Sequence, residues 1–361
     1  MEVIRLGIAD LLPRKRKWRV YDAAIEPLSA DRRAYKIGKN QVKAAQLVAP
    51  RQWEIVDVGR PEATGGTMLV RLEKVGICGS DKSSYFGMYP SYPLAPGATG
   101  HEGVGTVVDC PSGKLQPGER VILSRFQQGL FQEYVVADAA GCVRLPAGFH
   151  PDVGLMSQLL GTVIHCFLKL GNVIDEDVVV LGQGPVGQLF NATLRNLGAR
   201  RIIGVDPLGH RLEVSMRMGA TDVINPDQED LLERVKTLTD GNLADIAVEA
   251  IGGQKSFDTC TSLLRRNGTM IYFGVPDKVN GEGVMQVRFR DLFIKEIRII
   301  TSVGPNPQQD YSMALDWIAQ GRLDPRPIIT HSLPFEQIQK GFEIAYERPA
   351  ENRSVKVLLD F

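Results

Sequence analysis

Three short segments, a nearby pair and one well downstream, hold the residue types that could do chemistry. In Val75-Gly76-Ile77-Cys78-Gly79-Ser80-Asp81 and Gly100-His101-Glu102 the chain offers a thiolate, an imidazole and carboxylates, a donor set that suits zinc. In Val178-Val179-Val180-Leu181-Gly182-Gln183-Gly184-Pro185-Val186-Gly187 it offers three glycines between an apolar run and a helix-opening proline. Such a turn aims helix N-terminal amides at a dinucleotide pyrophosphate. A divalent cation holding a hydroxyl beside a nicotinamide that can take a hydride would oxidise an alcohol.

The glycine triplet gains weight from the elements around it. Gly182, Gly184 and Gly187 stand directly between a buried strand and a helix with Val186, Leu189, Phe190, Leu194 and Leu197 on one face and Gly198 as terminator. Asp206 ends the next strand, where a carboxylate accepts both ribose hydroxyls and repels a 2′-phosphate, which predicts NAD over NADP. Arg211 can brace the same ribose or simply face solvent. An ordinary strand-turn-helix with an acid in the following loop is the competing reading. Apolar runs predict strands at Val178–Leu181, Ile202–Val205, Ile246–Glu249, Met270–Phe273 and Ile297–Ile300, with amphipathic helices between them, the second ending at Gly219 and the fourth before Gly268. That alternation implies a parallel sheet. Ahead of it, short β-branched runs such as Met68–Leu72 and Gly105–Val108, broken by turns such as Pro117-Gly118, imply a β-rich domain. Helices near Tyr311–Ala319 and Glu336–Tyr346 and a strand at Val355–Leu359 return to that first domain.

The chain has 361 residues, 43% of them hydrophobic, enough for roughly two domains. Its 42 basic and 42 acidic residues balance, so no whole-molecule field favours nucleic acid or an anionic membrane, and neither is expected as a partner. The basic cluster Arg14–Arg19 is read as a solvated tail. Five cysteines, at 78, 110, 142, 166 and 260, show no paired framework, which favours the cytoplasm. No apolar run approaches a membrane span, and no signal-peptide core is present.

Together Cys78-Gly79-Ser80-Asp81, Gly100-His101-Glu102-Gly103, Gly182-Gln183-Gly184-Pro185-Val186-Gly187 and Phe273-Gly274-Val275-Pro276 resemble the zinc-dependent medium-chain dehydrogenase/reductase (alcohol dehydrogenase) family, nearest its polyol (sorbitol) and threonine dehydrogenase branch. The resemblance runs from about Val42 onward. It implies an α/β protein in which a GroES-like β-rich catalytic domain, residues 42–165 with 306–361, is joined to a Rossmann NAD-binding domain, residues 166–305, with a cleft between them. Residues 1–41 are then an N-terminal extension, disordered or upstream of the true start, since relatives often begin Met-Lys-Ala where this chain reads Val42-Lys43-Ala44. The resemblance further implies Cys78 and His101 as zinc ligands, Glu102 as a direct or nearby carboxylate, and Asp81 as the acceptor that fixes the imidazole tautomer. Ser80 would take the substrate's hydroxyl proton, and backbone near Phe273–Val275 and Ser302–Gly304 would orient the nicotinamide carboxamide.

Three departures bear on what is carried over. Gln158 stands where polyol dehydrogenases carry Glu, so Glu102, Gln158 and water are all candidates to complete the zinc shell. Charge favours Glu102, because the Cys78 thiolate and one carboxylate neutralise a divalent ion, leaving Gln158 to orient a water or substrate. In place of a relay histidine the chain has Ser83, Ser84 and Tyr85, so proton exit would use Ser80, a water and one of these hydroxyls. The four-cysteine lobe of many relatives is missing, Arg125-Phe126-Gln127-Gln128-Gly129 leading directly to a strand at Phe131–Val136. One catalytic zinc and no structural zinc are therefore expected, with Cys110, Cys142, Cys166 and Cys260 as packing or surface thiols. Tyr85, Phe86, Tyr89, Tyr92 and Phe126 suggest an aromatic-walled cleft or plain packing.

The expected partner is a small secondary alcohol or polyol, oxidised to a ketone. A homodimer or homotetramer would form through the strand near Ile297–Ile300, which reads equally well as internal. Two rival functions share these features. One is a zinc-independent quinone or enoyl reductase of the same fold, and the other a non-catalytic nicotinamide-binding regulator.

Overall fold

The computed structural model describes residues 37–88, 91–123, 129–276 and 284–361. A hairpin opens the described chain, β1 (Ile37–Ala49) against β2 (Gln52–Pro61), and its first strand begins ahead of the boundary drawn at Val42. Then follow β3 (Thr67–Gly76), the one-turn helix α1 (Lys82–Tyr85), β4 (Glu102–Asp109), β5 (Arg120–Ile122), β6 (Tyr134–Asp138) and β7 (Val143–Arg144). β6 starts later than the strand expected at Phe131–Val136, because Phe131 is sunk in the core beside Trp53 and Phe342.

The chain then enters α2 (Pro151–Leu170), with proline at its first position and Gly171 at its end. An 18-residue window of this 20-residue helix has mean hydropathy 1.5, long and apolar enough to cross a membrane by length and composition. This corrects the expectation that no such run exists. The helix is apolar nearly all round because it is wedged between two sheets, and 72% of its apolar window is buried within the protein.

Six parallel strands follow: β8 (Asp177–Leu181), β9 (Arg201–Val205), β10 (Asp222–Ile224), β11 (Ala244–Glu249), β12 (Leu264–Tyr272) and β13 (Arg298–Thr301), in spatial order β10-β9-β8-β11-β12-β13. Every residue of β8 is buried, as a central strand covered on both faces requires. The crossovers carry α3 (Pro185–Leu197), α4 (Gly209–Arg217), α5 (Leu231–Leu238), α6 (Gln254–Leu263) and α7 (Phe289–Lys295). The five expected strands are present to within a few residues at most ends, and Gly219 does close the second helix. The fourth helix, α6, ends at Leu263, ahead of Gly268 as expected; Leu264 is already extended and fully buried, so the chain passes from α6 straight into β12, and Gly268 lies inside the strand.

After β13 come α8 (Ser312–Ala319), β14 (Ile329–Pro334), α9 (Ile338–Phe342) and β15 (Lys356–Asp360). β14 and β15 rejoin the first sheet, whose order is β14-β15-β3-β4-β5-β7 with β6 also paired to β3. One apolar cluster runs from Val104 and Ile122 through Leu155, Leu160, Val163 and Phe167 of α2 to Val178, Val180 and Phe190. α2 is therefore the common core of both sheets.

Candidate active site

The ladder between β3 and β4 sets Gly76 opposite Glu102, and β15 lies on the other side of β3 with Leu358 opposite Gly76. Cys78 and His101 therefore leave the same end of one sheet. Ligand atoms of Cys78, His101 and Glu102 lie within 4.8 Å of one another. Beneath them is a cation that sequence reasoning missed. Lys356 of β15 pairs its Nζ with Glu102 Oε2 and donates to the Ile77 carbonyl at 2.9 Å, with side chains 1% and 0% exposed. Glycine at 76 makes room for the pair, since a Cβ there would stand 2.6 Å from Glu102 Oε2 and 3.0 Å from Lys356 Nζ. The available signal was a single charge inside the apolar run Val355-Lys356-Val357-Leu358-Leu359, which must find a buried partner.

Asp81 is buried at the end of a single 3-10 turn, Gly79–Asp81. Its Oδ2 accepts the Cys78 N–H at 2.9 Å and its Oδ1 the Gly100 N–H at 3.1 Å. It thus ties the two ligand loops together through their backbones, where the imidazole had been expected as its partner, because the tight turn folds the carboxylate back under both. Burial pushes the Asp81 carboxyl up, and nearby His101 opposes that. The Cys78 thiol is held far above the ordinary thiol range, first by burial and then by the Glu102 charge, with Lys356 opposing. A thiolate there needs a further positive charge, which a divalent cation supplies. Tyr346 donates its hydroxyl to the Cys78 carbonyl.

Two buried oxygens, Glu102 Oε1 and Gln158 Oε1, have no hydrogen-bond partner among the described residues. Gln158 is buried on α2, which packs on β3 and β4. A soft thiolate, an imidazole and an orphaned carboxylate oxygen fit a zinc-type ion. Ser80 is exposed, its Oγ 3.4 Å from His101 Nδ1.

Of the three hydroxyls expected to follow Ser80, two face inward: Ser84 Oγ donates to the Asp81 carbonyl at 2.8 Å and Tyr85 donates to Glu347 Oε1 at 2.9 Å, whereas Ser83 is half-buried. Tyr85 is fully buried among Phe86, Phe342 and Tyr346, which makes it core and not cleft wall. Tyr92 donates to the Ser84 carbonyl. Tyr89, Phe126 and the rest of 124–128 lie outside the described residues.

The three glycines divide three tasks. Gly182 has φ +90, in the left-handed region that makes the turn. A Cβ on Gly184 would meet nothing within 4 Å, leaving the backbone open to a ligand, whereas one on Gly187 would sit 1.9 Å from the Gly182 carbonyl oxygen. Pro185 and Val186 open α3 behind them. These are the geometries a pyrophosphate cradle requires. Asp206, 4% exposed just past β9, accepts the Gln183 N–H at 2.8 Å and the Leu208 N–H at 2.9 Å. Arg211 Nη1 lies 3.6 Å from Asp206 Oδ2, and its Nε donates to the Ser354 carbonyl just ahead of β15. On the far side, Phe273 packs edge-on to Phe190 and a Gly274 Cβ would be 2.2 Å from the Gly252 nitrogen. Val275 is exposed and Ser302 buried.

A cluster of metal-ligating side chains at the end of a β-rich sheet, followed by a doubly wound sheet with a dinucleotide turn, defines a zinc-type dehydrogenase. The family description "Alcohol dehydrogenase GroES-like domain" matches residues 64–147, and "Zinc-binding dehydrogenase" matches residues 185–320. The chain belongs to the zinc-binding medium-chain dehydrogenase family. It is similar to the L-threonine 3-dehydrogenase of Proteus mirabilis (strain HI4320), 28% identical over 344 residues that cover 86% of this chain and 97% of that protein. Its fold is similar to that of alcohol dehydrogenase TADH from Thermus sp. ATN1, with TM-score 0.78 at 25% identity over 88% of this chain and 99% of that one. Benzyl alcohol dehydrogenase from Acinetobacter calcoaceticus shares the fold at TM-score 0.80 and 20% identity, over 89% of this chain and 99% of that one.

Proposed function

We propose that this protein is an oxidoreductase acting on CH–OH groups, transferring a hydride from a secondary alcohol or polyol to NAD and releasing a ketone. The observation that carries the reading is the Cys78, His101 and Glu102 cluster within 4.8 Å, set at the end of the sheet that packs through α2 against the dinucleotide turn. Cys78, His101 and Glu102 would hold a zinc ion, with Gln158 left to orient a water or the substrate. When bound, the ion polarises the substrate hydroxyl and the nicotinamide takes the hydride. Ser80 stands at the mouth of the site and receives the hydroxyl proton, with His101 Nδ1 beside it. Asp81 keeps both ligand loops in register. Asp206 retains lone pairs for the ribose hydroxyls and repels a 2′-phosphate. The catalytic part comprises 42–165 with 306–361, and the coenzyme part 166–305.

A second copy of the chain is the proposed macromolecular partner. β13 is an edge strand, and Phe289, Phe293, Ile294 and Ile299 are exposed around it, an apolar surface of the kind that marks an interface. Sedimentation at micromolar concentration would then give a dimer or tetramer mass, and a monomer would remove this partner. The described cysteines are all free, as a reducing compartment such as the cytoplasm allows.

The test of function is a screen of NAD and NADP reduction over polyols, hydroxy amino acids and simple secondary alcohols, paired with zinc quantification. One zinc per chain and NAD-preferring turnover are expected. The Asp206→Gly variant should narrow the preference for NAD over NADP by roughly tenfold or more, by removing one buried charge from beside the 2′ position. Full-rate NAD reduction by a chain without stoichiometric zinc would overturn the reading.

A further inference from the structure

Glu249 ends β11 where the order of the parallel sheet reverses, directly opposite Leu181 at the end of β8. Ligands of such sheets sit in the crevice outside these strand ends. Glu249 is completely buried. Its backbone carbonyl accepts the Phe273 and Gly274 N–H groups at 2.9 and 3.0 Å, and its Oε1 accepts those of Ile251 and Gly252 at 3.0 and 2.8 Å. One residue therefore fixes both backbone turns that border the crevice, 250–252 and 273–275. Its second oxygen, Oε2, has no hydrogen-bond partner among the described residues and lies where a Gly274 Cβ would be only 2.6 Å away. No ion pair to Glu249 forms among the described residues.

We propose that Glu249 is a positioning residue whose uncompensated negative charge makes the crevice favour the oxidised, positively charged nicotinamide over the neutral reduced ring. The inference rests on the nicotinamide reading given above. The ring carries one positive charge before it accepts a hydride and none afterwards, so a fixed anion beside the crevice stabilises only the first form. A unit charge felt through an effective dielectric of about 20 changes the ratio of the two affinities on the order of tenfold. A purely structural role in shaping the turns would weaken both forms alike.

The experiment measures NAD and NADH binding separately on the full-length, zinc-loaded protein without substrate, by calorimetry and by nicotinamide fluorescence. Glu249→Gln removes the charge while keeping an oxygen for the Ile251 and Gly252 N–H groups. It should weaken NAD about tenfold and NADH no more than about twofold. Glu249→Asp, which keeps the charge, should preserve the ratio even if both affinities fall. Should the glutamine variant misfold by circular dichroism, Glu249→Ser, with space for a water at the same amides, takes its place with the same expected ratio. An unchanged ratio in the neutral variant overturns the proposal while leaving the nicotinamide reading intact. A wild-type chain that binds neither form overturns both.

Discussion

Cys78→Ser is expected to abolish zinc binding and turnover together. Serine keeps the size of the side chain and loses the soft, ionisable donor, so metal content should fall from about one per chain to near zero and turnover by a factor on the order of a thousand or more. Asp81 and Tyr346 both bind the backbone of residue 78, so the contacts that hold its loop survive the substitution. Circular dichroism should accordingly show an unaltered fold. Elemental analysis and NADH formation on the same preparation check the prediction, and undiminished turnover in metal-free serine variant would remove the metal from the mechanism.

Lys356→Met carries the largest expected effect on stability. It leaves the Glu102 carboxylate buried without its cation, a change that typically costs about 3–5 kcal/mol. The loss should appear in urea unfolding of chelator-treated protein, where no ion can replace the ammonium. Adding Glu102→Gln in the same chain removes the stranded charge and should recover most of that stability. A single-variant loss under about 1 kcal/mol would mean that water reaches the pair and that the carboxylate is not held as described.

The parts of the site that are local in sequence were legible in it. Gly182, Gly184 and Gly187 each have a distinct geometric reason to lack a side chain, and the motif names them by spacing alone. Cys78, His101 and Glu102 come together because two adjacent antiparallel strands deliver them, which their flanking turns foretell. What stayed hidden depends on register between distant segments. Lys356 meets Glu102 across 254 residues, and only the placement of β15 beside β3 makes that contact. The phase of short helices was equally invisible: one turn at α1 decides whether Tyr85 faces substrate or Phe342, and it faces Phe342. Asp81 takes the backbone amides of Cys78 and Gly100, where the resemblance implies the imidazole as its partner. At the junction of α6 and β12 the chain passes from helix to strand without a turn, so the strand expected from Met270 starts six residues earlier, at Leu264.

The antiparallel pairing of β15 with β3 also sets an order of events during synthesis. The loops bearing Cys78, His101 and Glu102 leave the ribosome long before Lys356 exists, and until then the Glu102 carboxylate has no ammonium to face. Nascent chains fold largely from the front, so this half of the protein must wait, incomplete, while the whole coenzyme-binding sheet is made. Any truncation or fusion that keeps the final strand from inserting between β14 and β3 would leave the metal centre unfinished, however well the preceding residues had folded.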